Sequence, residues 1–223
     1  MLIDIHIHTS PVSLCGRLLY SEVVDLYAAA GYGAVMLTNH YSSSYQDAIG
    51  VSYQEWLELY IGEYERMAEY GKSRGLKVFF GAEVTTERKY ADYLLIGIDA
   101  EFLRRHPRLY MLLQSELYAL CEKEDVLLVQ AHPFRVEQGH SLQDTRFLHG
   151  LEINCHPMFS PFEKRVLDTA AAEGLTVTVG GDVHTRDAAA RCGLIVPDGI
   201  GDAKALRDYL KETRVPDYRL PPV

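Results

Sequence analysis

Two histidines two residues apart, His6 and His8 in LIDIHIHTS, are the first residues of this chain whose types and spacing could do chemistry. In an extended strand side chains alternate, so both imidazoles leave one face while Ile3, Ile5 and Ile7 leave the other. One face packs and the other presents nitrogen ligands. The pattern of an apolar run ending on a ligand-type residue recurs: His40 in TNH, Glu83 in GAE, His132 in AHP, and Asp182 with His184 in GGDVH. Histidine and carboxylate together are the donor set for zinc, manganese or iron. Gathered in one mouth without cations, they would be costly to bury. Taken singly, an HxH can be a packing pair, His40 a satisfied core histidine, His132 a turn residue before proline, and Glu83 a cap. Seven such residues at the ends of five runs point instead to a metal cage.

The elements that must position them alternate in type. Apolar runs begin at Leu2 (LIDIHIH), Ala34 (AVMLT), Lys77 (KVFFGAE), Tyr93 (YLLIGI), Val126 (VLLVQAH), Leu151 (LEIN) and Thr176 (TVTVGGDVH). Between them lie helical patterns: SEVVDLYAAAG, with Ser21 as its expected N-cap and Gly31 as its stop, YQEWLELYIGEYERMAEYGKSRG, PRLYMLLQSELYALCEKE and PFEKRVLDTAAAEG. Strand–helix alternation predicts a parallel sheet. An eight-unit barrel usually needs ~250 residues, so the seven strands of a 223-residue chain predict a distorted, TIM-like (β/α)7 barrel of parallel strands. An open doubly wound sheet is the alternative, because periodicity alone does not close a barrel. The carboxyl ends of barrel strands converge on the active-site face. Five of the nine histidines fall at such ends.

The bulk numbers bound the function. A hydrophobic content of 48% supports one core and a single domain over residues 1–223. A formal net charge of −9 argues against broad binding to nucleic acid or anionic lipid. It does not exclude a small anionic substrate, since bound metal reverses the local field. No apolar run is long enough to span a membrane and no secretory signal pattern opens the chain, so the expected compartment is the cytoplasm. Cys15, Cys121, Cys155 and Cys192 form no CxxC pair and read mostly as free packing thiols. Arg135, three residues beyond His132, is the candidate contact for an anionic substrate such as a phosphate, because a guanidinium matches such oxygens bidentately; Arg17 and Arg186 are weaker versions of the same idea. Polar stretches after His40 and His132 are expected to be loops over the mouth. His140, His149 and His156 lie in or near the second, with a substrate contact or an ordinary surface histidine as the alternatives for each.

The order HxH, TxH, GxE, AHP and DxH, from His6 to His184, resembles the PHP family (polymerase and histidinol phosphatase), whose members include phosphatases, other phosphoesterases and domains attached to DNA polymerases. The resemblance implies a distorted seven-strand barrel holding two or three divalent ions, with zinc, manganese and iron as candidates. Carried over by position, His6, His8, Glu83 and Asp182 would surround one metal. Glu83 would bridge to a second that His132 also binds, and His40 and His184 would hold a third. Glu83, His132 and Asp182 are the candidate catalytic residues. The chain departs from the family's pattern twice: Cys15 stands where the family often has an acid or histidine, and the second metal's further histidine is missing, with Asp99 the nearest substitute. The expected reaction is hydrolysis of a phosphate monoester, metal-activated hydroxide attacking phosphorus in a small phosphorylated molecule or phosphoprotein. The alternatives are amidohydrolase-like cleavage of C–N or C–O bonds and a non-catalytic metal-binding module.

Overall fold

In the computed structural model, which describes residues 1–87 and 91–221, β1 (Leu2–Ile7) is almost wholly buried. Ile3 and Ile5 join one apolar cluster and Ile7 a second, while Asp4 and His6 occupy the alternate positions. The elements follow as α1 (Tyr20–Ala29), β2 (Ala34–Leu37), β3 (His40–Tyr41), α2 (Ser43–Ile49), α3 (Tyr53–Arg74), β4 (Lys77–Thr85), β5 (Asp92–Ile96) and α4 (Ala100–Arg105). Then come α5 (Gln114–Lys123), β6 (Leu127–Gln130), β7 (Gly150–Asn154), α6 (Glu163–Glu173), β8 (Thr176–Gly180), β9 (Gly193–Ile195), α7 (Ala203–Thr213) and β10 (Asp217–Arg219). The sheet order is β10-β9-β1-β2-β4-β5-β6-β7-β8, with β3 also paired to β4. Past the end of β8 the chain returns to β1: the His8 N–H donates to the Val183 carbonyl at 3.0 Å, and the Val183 N–H to the His6 carbonyl at 3.1 Å. These bonds bring the barrel nearly to closure at the end that carries the histidines.

All seven expected strands form, as β1, β2, β4, β5, β6, β7 and β8, joined by the short β3, β9 and β10. The expectation of uniformly parallel strands fails at β5, which runs antiparallel to both β4 and β6. The cause is connection length. Six residues separate Thr85 from Asp92, whereas a parallel crossover needs about a dozen. The chain can only turn back. This reversal exchanges the ends of β5, so Asp92 arrives at the histidine end and Asp99 at the opposite one.

The helices form where local signals agree. Ser52 caps α3 by accepting the Glu55 N–H, and the Glu55 carboxylate takes the Ser52 N–H at 3.0 Å. Gly75, at φ 72°, ends the helix in the left-handed conformation. Trp56, Tyr60, Ile61 and Met67 form the buried stripe between. α1 begins one residue before the expected Ser21 cap, with the Glu22 carboxylate accepting the Leu19 N–H at 3.0 Å. The stretch after Pro107 divides into a turn of 3-10 helix at Leu109–Met111 and α5, and the expected loop after His40 contains α2. No helix among the described residues is long and apolar enough to cross a membrane.

Candidate metal centre

Glu83, near the end of β4, is fully buried and lies at the centre of four imidazoles. Its Oε1 is 3.2 Å from His6 Nε2 and 3.1 Å from His132 Nε2. Its Oε2 is 3.3 Å from His8 Nε2 and 2.9 Å from His40 Nδ1. Each neighbour has a reason to be there. The pleat of β1 sends His6 and His8 to one side, and β3 sets His40 directly across from Glu83 in a parallel ladder. Asp182 follows β8 and completes the group, its Oδ1 lying 3.5 Å from His6, 3.4 Å from His8 and 3.3 Å from His184. The seven residues expected to be ligands are thus brought together.

Three observations fit this group to divalent cations. His6 Nε2, His8 Nε2, His40 Nδ1 and Glu83 Oε2 are buried polar atoms without a hydrogen-bond partner, and they lie around the same carboxylates. Buried polar atoms are normally satisfied. Sets of three ligand atoms lie within 4.8 Å of one another in His6–His8–Asp182, His6–Glu83–His132 and His8–His40–His184. Finally, His132 at φ 32° and Asp182 at φ 50° hold left-handed backbone conformations. Such conformations cost ~1–3 kcal/mol each and collect at functional sites.

The electrostatics show how strongly these groups are coupled in the absence of a cation. Burial drives the Glu83 and Asp182 carboxyls up, but the imidazoles, His6 foremost, outweigh it and hold both well below the usual carboxylate range. Burial pulls His6 down, while Glu152, Glu83 and Asp182 raise it well above its ordinary value. His8 goes the other way, depressed by burial and then by His184 and His40. Burial pulls His40 and His184 down too, but Glu83 raises the first, and Cys15 with Asp182 the second, as His6 is raised. The anionic carboxylates and neutral His8 are in the forms that bind metal, whereas the protons gathered on His6, His40 and His184 are ones a bound cation would have to displace.

The second cluster corrects one expectation. Asp99 is not among the grouped residues: it caps α4 by accepting the Phe102 N–H at 2.9 Å and pairs with Lys204 at 2.8 Å. Its place is taken by Asp92 and His140, which form a three-residue set with His132. Asp92 Oδ2 lies 3.7 Å from His132 Nε2 and 3.6 Å from His140 Nδ1, and the two rings meet edge to face at 4.5 Å. Thr85 donates to Asp92 Oδ1 at 2.5 Å and fixes its rotamer.

Cys15 lies at the rim beside His40 and His184, with the Tyr45 hydroxyl donating to its sulfur at 3.0 Å. Partial burial raises this thiol, but hydrogen bonds with His184 and His40 outweigh burial and bring it down to about 6. The other three cysteines are buried, as a packing role requires. Arg135 is tied to Asp182 Oδ2 at 2.8 Å and to Asn154 Oδ1, so it anchors a residue of the cluster while lining the cavity. Arg186 lies outside, pairing with Glu22 at 3.4 Å. His149 also lies outside: its Nδ1 accepts the Leu128 N–H at 2.9 Å and its Nε2 meets Glu122 at 2.6 Å.

A supporting shell escaped sequence reasoning. Glu152 on β7 places Oε1 2.7 Å from His6 Nδ1, and its Oε2 accepts the His132 N–H at 3.0 Å and Asn154 Nδ2 at 2.8 Å. Ser13 Oγ lies 3.3 Å from His8 Nδ1, donates to Asn39 Oδ1 at 2.9 Å and accepts the His40 N–H at 2.9 Å. Such partners orient ligating imidazoles and select their tautomers. Close approach also explains the paired glycines before Asp182. A Cβ on Gly180 would fall 2.5 Å from both Glu152 Oε1 and His6 Cβ, and one on Gly181 would fall 2.5 Å from Asp4 Oδ2. Gly180→Ala is therefore expected to cost ~1–3 kcal/mol, as overpacking does, and to lower metal content. Thermal unfolding and elemental analysis check both.

No protein-family profile and no curated protein matches the chain. Solved structures do. PsfC from Pseudomonas syringae superposes with a TM-score of 0.68 at 20% identity, over 94% of this chain and 87% of that one. A two-domain Bacteroides vulgatus protein containing a predicted PHP-like metal-dependent phosphoesterase gives 0.70 at 16% identity; it matches 99% of this chain, which spans 65% of that protein's length. A Chromobacterium violaceum amidohydrolase, solved with bound sulfate and no metal, gives 0.54 at 16% identity over 95% and 96%. The chain thus has the barrel fold found in a PHP-like metal-dependent phosphoesterase and in an amidohydrolase.

Proposed function

We propose that this chain is a metal-dependent phosphomonoesterase acting on a small phosphorylated molecule or side chain. One observation carries the reading: unpartnered buried nitrogen and oxygen atoms aimed at one point, around a carboxylate with a second three-residue cluster beside it. His6, His8, Glu83 and Asp182 would hold one ion. Glu83 and His132, with Asp92 and His140, would hold a second, and His40 and His184, with Cys15 at hand, a third. Bound divalent ions supply Lewis-acid charge for phosphoryl oxygens and acidify water toward neutral pH.

The chain's own residues do the rest. Glu83 presents both oxygens to the cluster, so it can serve two ions at once. Arg135 holds Asp182 in place and sets its guanidinium on the cavity wall, a group whose planar fork suits a phosphate oxygen. The cavity has a volume of about 400 Å³ and is lined by Ser42, Tyr45, Arg135, His140, His156 and Phe159 among others. That is space for a small ligand. The sulfate carried by the amidohydrolase of similar fold is itself a tetrahedral oxyanion. Against C–N hydrolysis of the kind that uses a strand-borne lysine, the cavity wall has no lysine among the described residues.

Chelated protein reloaded with manganese, zinc or iron is expected to hydrolyse p-nitrophenyl phosphate at least ~100-fold faster than the chelated form, because metals supply several kcal/mol of transition-state stabilisation. Metal-loaded protein that cleaves esters or amides but no phosphomonoester would refute this function.

A further inference from the structure

One imidazole on the cavity wall belongs to none of the clusters around Glu83. His156 stands in the loop between β7 and α6, half-buried, with its ring centre 5.2 Å from that of Phe159 and edge-on to His184 at 6.1 Å. The Met158 backbone N–H donates to His156 Nδ1 at 3.3 Å. A backbone amide can only donate, so the neutral ring must carry its proton on Nε2. The His156 backbone N–H donates at 3.2 Å to Asn154 Oδ1, the oxygen that also receives Arg135. Asn154 therefore fixes both groups, and Phe159 spans them, lying 4.5 Å beneath the Arg135 guanidinium.

We infer that His156 is a substrate-contacting residue: its Nε2–H donates to an oxygen of the phosphorylated substrate beside the one that Arg135 meets. The inference rests on the phosphatase reading above and adds to it a neutral donor, placed by the 154–159 loop rather than by the metal cluster. A neutral donor that meets ground state and transition state alike contributes to binding and little to the chemical step.

The test compares metal-loaded wild type with His156→Ala and His156→Gln. A glutamine can accept the Met158 N–H through its oxygen while its amide nitrogen donates to the substrate, so it mimics the imidazole. Removing the donor should raise KM for p-nitrophenyl phosphate, and the inhibition constant of inorganic phosphate, by ~10-fold with kcat within about twofold. His156→Gln should recover most of the loss. Unchanged constants in His156→Ala overturn the inference, as does a loss of bound metal by elemental analysis, which would make His156 a ligand. If the wild type turns over no phosphomonoester, the function has failed. Calorimetric binding of inorganic phosphate then decides His156 separately, with weaker binding in His156→Ala supporting the contact and equal binding overturning it.

Discussion

Glu83→Gln is expected to reduce phosphomonoester turnover by ~10³-fold or more and to strip metal from the protein. Both carboxylate oxygens are in use, Oε1 between His6 and His132 and Oε2 between His8 and His40. Glutamine keeps the shape but removes the charge, and it turns an amide N–H2 toward ring nitrogens that must offer lone pairs. Any cation held there would lose the anion at its centre. Breaking a buried charged pair by removing one partner costs ~3–5 kcal/mol, and each 1.36 kcal/mol is tenfold in rate or affinity. Elemental analysis and turnover, measured on the same preparation, check the expectation. A Glu83→Gln protein with full metal content and wild-type rate would remove Glu83 from the centre of the site.

Much of this centre was legible because its residues interrupt strands. His6 and His8 stand out because, with Asp4, they fill the alternate positions between Ile3, Ile5 and Ile7, and Glu83, Asp182 and His184 stand out where a buried run ends. Those positions are fixed by period and pleat, which the sequence carries locally. The direction of β5 is not local. YLLIGI reads the same whichever way it runs, and only the six-residue connection before it excludes a helical crossover. Missing that reversal moved the expected acid from Asp92 to Asp99, seven residues along and at the opposite end of the strand. His140 sits in irregular chain beyond β6, where no periodicity says which way a side chain turns. Glu152 gave a fainter signal: a single carboxylate inside the apolar run LEIN, on a strand whose five residues are all buried. A buried acid needs partners, and its partners come from β1 and the end of β6, which are remote in sequence.

Glu152 also yields the other large effect. Three donors converge on its carboxylate: His6 Nδ1, the His132 backbone N–H and Asn154 Nδ2. A carboxylate has enough lone pairs for all three. A proton on His6 Nδ1 satisfies the first bond and leaves Nε2, the atom that faces Glu83 and Asp182, for a cation. The second holds the backbone of His132 at its left-handed φ of 32°. The third keeps Asn154 turned so that its oxygen meets Arg135. Glu152→Gln has one accepting oxygen and therefore cannot serve both sides. With the oxygen toward His6, the amide nitrogen confronts two donors; with the amide reversed, His6 loses the partner that sets its tautomer. Loss of such a partner typically lowers metal affinity by ~10–100-fold, and the same drop is expected here although Glu152 touches no metal-facing atom of His6. Competition with a metal-sensitive dye measures the affinity, and nuclear magnetic resonance of the His6 ring reports the tautomer. An unchanged tautomer together with unchanged affinity would reduce Glu152 to a packing residue, while a shifted tautomer with weakened binding would show that β7, which supplies none of the clustered donor atoms, still governs how β1 presents its first histidine.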